Sequence, residues 1–198
     1  MAQPVIPCAL EFMDSSAIET VRSYAGIDVP AETGAILMIE VDGPEACIDL
    51  AVRALEAAAR NPGLLECRRA EDSSEVAALW KTRKALSPAL RHIAPKKINA
   101  DVGGPVSRIA EFIEGQERLS QETGIRIVNF GHAGNGNIHV NLLVDPDDPD
   151  EMTRAYACLD SVFGLVLGLG GTLSGEHGVG LEKRDYVARE IEPATLRL

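Results

Sequence analysis

Two glycine-rich segments constrain this chain more than any other feature. Residues 129–141 read Asn-Phe-Gly-His-Ala-Gly-Asn-Gly-Asn-Ile-His-Val-Asn, and residues 170–180 read Gly-Gly-Thr-Leu-Ser-Gly-Glu-His-Gly-Val-Gly. Three of the chain's four histidines, His132, His139 and His177, fall inside them, and Glu176 adjoins the last. Residues 126–130 form an apolar, β-branched run that predicts a strand. Asn135-Gly136 is a hairpin signal, because both residue types tolerate positive φ. Residues 138–144 alternate as the returning strand, with His139 and Asn141 on one face and Ile138, Val140 and Leu142 on the other. Such a hairpin brings His132 near His139. Two neutral imidazoles and one carboxylate form a set that holds a catalytic divalent metal with positions left open. Glu176 supplies the carboxylate if the second segment folds over the hairpin, which leaves His177 beside the metal as an acid or base. Taken singly, His132 or His139 reads as an ordinary hydrogen-bonded turn residue. The cluster is what points to a site. No metalloprotease or zinc-finger spacing accompanies it.

The rest of the chain supplies a scaffold. Residues 5–12 predict a strand, and Asp14-Ser15-Ser16 predicts the cap of a helix running to about Tyr24. Residues 34–41 predict a second strand and residues 45–60 an amphipathic helix with Ile48, Val52, Leu55 and Ala59 along one face. Residues 64–69 predict a third strand. The resulting β-α-β-α-β order, with short connections, suits an α+β fold: a ferredoxin-like antiparallel sheet with helices packed on one face. A basic helix capped by Ser73 or Ser74 follows, running to about His92 and burying Trp80 and Leu86. Its Arg83 and Ser87 lie four apart, on one face. On spacing alone its basic residues read as a solvated helix surface. Residues 97–102 predict an extended segment. Helices are expected after Ser107, over residues 152–169 and over 183–190. The acidic turn at residues 145–150 lacks EF-hand spacing.

A length of 198 residues suffices for one sizeable core or two small ones. Asp plus Glu number 30 against 19 Lys plus Arg, for a formal charge of −11. That balance argues against nucleic acid or an anionic membrane surface as a partner. It permits a small anionic substrate, since a local arginine and a metal override the mean field. Cys8, Cys47, Cys67 and Cys158 show no Cys-x-x-Cys spacing and read as reduced core residues of a cytosolic protein. No run has the length of a transmembrane helix, and residues 1–10 lack the pattern of a signal peptide.

Residues 131–139, Gly-His-Ala-Gly-Asn-Gly-Asn-Ile-His, resemble the Gly-His-x-Gly-Asp-Gly-Asn-x-His motif of FAD-linked 2-hydroxyacid oxidases and dehydrogenases. Residues 174–180, Ser-Gly-Glu-His-Gly-Val-Gly, resemble that family's second signature. Trp80-Lys81-Thr82-Arg83 and residues 101–108 resemble two further segments. The family includes D-lactate dehydrogenase, the glycolate oxidase flavin subunit and D-2-hydroxyglutarate dehydrogenase. The resemblance spans residues 1–198 and concerns the family's C-terminal half. In that family FAD is held mainly by an N-terminal domain of the vanillyl-alcohol-oxidase type, which has no counterpart here. Residues 1–198 are therefore expected to be a C-terminal substrate, or cap, domain cut from a longer polypeptide. They begin within a strand and stop before the family's usual Asn-Pro-Gly-Lys-like tail.

The resemblance implies roles for particular residues. His132, His139 and Glu176 are the expected metal ligands, with zinc the first expectation and manganese or iron the alternatives. His177 is the expected general base on the substrate hydroxyl. Arg83 and Ser87 are expected to hold the substrate carboxylate. Lys97, with Lys96 adjoining it, is expected on the substrate, and Asn141 on the substrate or behind the metal. Residues of this chain that touch FAD remain unknown. Asn135 replaces the family's aspartate. If that aspartate orients a metal-bound histidine, metal affinity is expected to fall here. The implied reaction is oxidation of a D-2-hydroxyacid to the 2-oxoacid, with hydride transfer to flavin. The chain alone is expected to bind metal without oxidising anything. Its expected partners are a small anionic 2-hydroxyacid and the FAD-binding domain of the same polypeptide, with a homodimer open. The expected location is cytoplasmic, or peripheral to the inner membrane through an electron acceptor. Two other readings stand beside this one: a non-flavin metalloenzyme using the same site, and a non-catalytic subunit of an oxidase complex. No residue decides between lactate, glycolate and hydroxyglutarate.

Overall fold

The computed structural model describes residues 5–197. In chain order the elements are β1 (Ala9–Asp14), α1 (Ser15–Ala25), β2 (Ala35–Glu40), α2 (Glu45–Ala59), α3 (Ser73–Ile93), β3 (Lys96–Gly103), α4 (Ile109–Thr123), β4 (Arg126–His132), β5 (Asn137–Val144), α5 (Pro149–Gly168) and the short α6 (Val187–Glu190). The strands form one five-stranded sheet in the order β2-β1-β4-β5-β3. Each neighbouring pair is antiparallel. Because β3 and β4 both run against β5, they are parallel to each other with β5 between them. The β3-α4-β4 passage is thus a split crossover, the unit from which ferredoxin-like sheets are built.

Side-chain oxygens start α1, α3 and α5. Asp14 accepts from the Ala17 amide at 2.7 Å to cap α1, Asp72 caps α3 at Ser74 and Glu75, and Asp148 caps α5 ahead of Pro149. The α3 cap falls one residue before the expected serines.

Pleating divides the sheet's apolar residues between two layers. Phe12, Ala100, Val102, Ile127, Ile138, Val140 and Leu142 pack with α4 and α5, through Phe112, Leu159, Val162 and Phe163. Met13, Val128, Phe130 and Leu143 pack with α1 and α3, through Ile18, Val21, Leu86 and Leu90. The antiparallel α+β sheet is as expected. Its helices, expected on one face, are shared between both, because β1 and β4 carry apolar residues on either side and Leu143 of β5 joins the second layer.

Other expectations need correction. Residues 64–69 form no strand. Leu64 and Leu65 are exposed, while Arg68 and Arg69 pair with Glu66 and Asp49, so the segment has neither a buried face nor a ladder partner. β1 begins at Ala9 rather than residue 5, since Pro7 offers no amide to the ladder. The expected helix over 183–190 is a 3-10 turn, Arg184–Tyr186, followed by α6. Of the four cysteines only Cys158 is buried, and Cys8, Cys47 and Cys67 are exposed thiols. Among the described residues no helix is long and apolar enough to cross a membrane.

Candidate metal centre

β4 and β5 meet in register at Phe130↔His139 and His132↔Asn137. The turn between them holds four residues rather than two. Only Gly136 takes positive φ, at 81°, and Asn135 does not. A Cβ on Gly136 would lie 2.0 Å from the Gly104 oxygen, so glycine is required there by space as well as by φ. The two imidazoles project from the α1/α3 face beyond the apolar patch those helices cover. They stand edge to face with centroids 5.4 Å apart.

Each histidine has an acid directly across the ladder. Glu11 on β1 is in register with His132, and Asp101 on β3 with His139. Glu11 Oε1 lies within hydrogen-bond distance of His132 Nδ1, at 2.5 Å. Asp101 Oδ1 lies 3.7 Å from His139 Nδ1. In both rings the acid takes the Nδ1 side, which leaves Nε2 for the centre of the site.

The second glycine-rich segment closes over this pair. Thr172 and Gly103 exchange backbone hydrogen bonds at 2.7 and 3.2 Å. Asp101, fully buried, then accepts from the Glu176 and His177 amides at 2.8 Å each. Lys183 donates its ammonium to the Asp101 backbone oxygen. Gly175 passes against Asn137, where a Cβ would meet the amide oxygen at 2.2 Å. The segment delivers Glu176 Oε1 to 3.4 Å from His139 Nε2 and 3.6 Å from His132 Nε2. His177 Nε2 is 3.9 Å from the same oxygen, and its ring stacks on His139 at 5.3 Å.

Asp101, His139, Glu176 and His177 each offer a ligand-type atom, all within 4.8 Å of one another. Asp101 faces His139 Nδ1 while Glu176 faces its Nε2, and His132 stands outside this group of four. His132 Nε2 and His139 Nε2 both face Glu176 Oε1, at 3.6 and 3.4 Å, as the expected ligand set His132, His139 and Glu176 requires. Ligands about 2.1 Å from a tetrahedral ion stand about 3.4 Å apart, which matches the two Glu176 separations. Burial holds the His139 pKa below its ordinary value, only partly opposed by Glu176 and Asp101. A neutral imidazole is the form a metal needs. Burial alone would raise the Asp101 carboxyl. The His177 and Glu176 amides, with Lys183, outweigh it and hold the pKa below the ordinary carboxylate value.

The residues expected on the substrate are distributed unevenly. Arg83 reaches the site. Its Nε donates to Glu11 Oε2 at 2.8 Å, and its guanidinium lies 4.7 Å over the Phe130 ring. Ser87 is exposed one turn further along α3. Lys97 faces the same side of the sheet but sits opposite Leu143, four residues along β3 from Asp101, or about 13 Å at the usual rise. It is not brought to the cluster. Asn141 is fully buried, with its amide donating to Val128 and His139 oxygens and accepting from Asn99, so it braces the strands rather than facing the opening. Trp80, expected to bury against the sheet, is half-buried and donates to Glu40 at 2.8 Å. Glu11 and Lys183 went unseen in the sequence, and Asp101 stood out only as the start of a resembling segment. An acid inside the apolar Ala-Leu-Glu-Phe-Met run of β1 was the available signal for Glu11.

The chain is similar in sequence and fold to known proteins. The family described as "FAD linked oxidases, C-terminal domain" matches residues 1–198. The glycolate oxidase subunit GlcD of Bacillus subtilis (strain 168) is 32% identical over 192 residues, covering 97% of this chain and 41% of that protein. The D-lactate dehydrogenase of Anaerostipes hadrus is 30% identical over 201 residues, covering 97% and 42%. The chain therefore spans about two fifths of the length of these curated relatives. Among solved structures, 4-ethylphenol oxidase from Gulosibacter chungangensis in its isoeugenol complex superposes with a TM-score of 0.51 at 15% identity, over 82% of this chain and 38% of that one. At that identity the likeness concerns the fold.

Proposed function

The chain belongs to the family of FAD linked oxidases, C-terminal domain, and from that premise we propose that it is the substrate- and metal-binding domain of a flavin-dependent dehydrogenase converting a D-2-hydroxyacid to the 2-oxoacid. The observation that carries the reading is the convergence of His132 Nε2 and His139 Nε2 on Glu176 Oε1 at 3.6 and 3.4 Å. These three residues would hold a divalent cation, zinc being favoured by the nitrogen-rich set. Such an ion, when bound, supplies the Lewis acidity that lowers the pKa of a hydroxyl, and flavin on the FAD-binding domain supplies the hydride acceptor.

This chain's own residues do the rest. Arg83, steadied by Glu11 and Phe130, offers the remainder of its guanidinium fork to the substrate carboxylate, and Ser87 lies one turn away on α3. His177, exposed at the mouth and stacked on His139, takes the hydroxyl proton at Nε2. Asp101 fixes the backbone of Glu176 and His177, so ligand and base move as one rigid unit. Substrates of the glycolate and D-lactate type, which the relatives' names carry, fit a site whose fixed features address only a carboxylate and a neighbouring hydroxyl.

The test is metal content by elemental analysis of the purified chain beside a His132→Ala, His139→Ala double variant. About one equivalent in the parent and none in the variant is expected. Equal metal in both, or none in the parent, would sink the reading.

A further inference from the structure

We propose that Glu11 is a positioning residue that links the metal ligand His132 to the carboxylate-binding Arg83, one carboxylate oxygen to each. This deepens the function proposed above and rests on it. Glu11 is a buried acid of β1, 4% exposed. Its Oε1 meets His132 Nδ1 at 2.5 Å and its Oε2 meets Arg83 Nε at 2.8 Å. The two partners come from β4 and α3, 121 and 72 residues away in sequence. With the carboxylate accepting, the imidazole proton sits on Nδ1 and the lone pair on Nε2, the atom that faces Glu176. A carboxylate behind a ligating histidine fixes its tautomer and raises its basicity. His139 has no such preformed support, since Asp101 Oδ1 stands 3.7 Å away and has no hydrogen-bond partner within the protein. His132 is therefore the ligand already aimed before a metal arrives, and Glu11 aims it.

The same carboxylate couples two ends of the site. Arg83 is largely buried, with its side chain 12% exposed, and Glu11 holds its Nε edge while Phe130 supports its plane. Any movement of Arg83 toward a substrate carboxylate is transmitted through Glu11 to His132. No other described side chain bridges the two.

The experiment measures Zn²⁺ affinity by competition with a chromophoric chelator, for the chain and for Glu11→Gln, His132→Ala and the double variant. Glu11→Gln keeps the shape and is expected to weaken Zn²⁺ binding about 10- to 100-fold. In the His132→Ala background the same change is expected to alter affinity by no more than about twofold, because its route is gone. Equal affinity in the parent and Glu11→Gln overturns the proposal, as does a full further loss in the His132→Ala background. A second measurement needs neither metal nor a stable variant: nitrogen-resolved NMR of the histidine rings in the metal-free chain. A protonated Nδ1 and bare Nε2 at His132 are expected, and the opposite tautomer overturns the proposal. Absence of Zn²⁺ binding by the parent would refute the metal site itself, and the tautomer would still decide the role of Glu11.

Discussion

Asn135 stands where the resembling motif carries aspartate, yet it is exposed and its side-chain oxygen accepts from the Asn137 amide at 3.2 Å. The acid that meets a site imidazole at hydrogen-bond distance is instead Glu11, on His132. Asparagine and aspartate make this turn contact equally well. The expected fall in metal affinity from Asn135 therefore loses its physical basis. Asn135→Asp is expected to leave Zn²⁺ affinity within about twofold, and a tenfold rise on titration would show that position 135 does reach a ligand. Gly136 is the sensitive position of the same turn. Gly136→Ala sets a Cβ 2.0 Å from the Gly104 oxygen at a φ of 81°. A loss of about 1–3 kcal/mol is expected in urea unfolding, since backbone rather than a pliable side chain must give way.

Between elements, register decides what a sequence can disclose. The hairpin, its histidines and the Glu176-His177 pair were legible because chemistry and turn signals lie within a few residues of each other. Glu11 and Asp101 were not, because their meaning arises only when β1 settles against β4 and β3 against β5. Asp14 belongs to the same hidden class. Its Oδ1 caps α1 at Ala17, and its Oδ2 accepts from both the Asn129 amide and the Asn129 side chain at 2.9 Å. The cap was readable, and the link to β4 was not. Burial drives the Asp14 pKa from an ordinary 3.8 to about 6, against the pull of those hydrogen bonds. The folded chain thus holds this proton more tightly than the unfolded chain. Its favourable contribution is complete below pH 4 and disappears as pH rises through about 6. A change of that size corresponds to about 3 kcal/mol. Urea unfolding of the parent and of Asp14→Asn at pH 4 and pH 7 should show the parent losing about that much relative to the variant. Parallel stability profiles would mean that Asp14 titrates normally.

Across the whole molecule, cohesion lies in the doubly covered sheet, and the segment from α2 to the start of α3 is lightly attached. Every residue of β5 is buried, whereas α2 has no fully buried residue despite its amphipathic pattern. Leu50 on α2 is 73% exposed, and Leu65 in the following loop 51%. Periodicity in residues 45–60 correctly gave a helix, but periodicity reports only that an apolar stripe exists, not that the chain supplies something to cover it. A helix held this way opens without disturbing the core, since few apolar contacts are lost. Native-state hydrogen exchange at rising denaturant tests the division. Amides of β5 and β4 are expected to exchange only through global unfolding, with the full denaturant dependence. Amides of α2 are expected to exchange through smaller openings, several kcal/mol below the global value and nearly independent of denaturant. If α2 and β5 exchanged at one free energy, α2 would be part of the cooperative core, and its stripe would have to be covered in solution. The proposed metal site draws on β1, β3, β4 and β5, so its geometry should persist while α2 opens. Zn²⁺ is accordingly expected to slow exchange in the 170–180 segment and at β5 while leaving α2 unchanged.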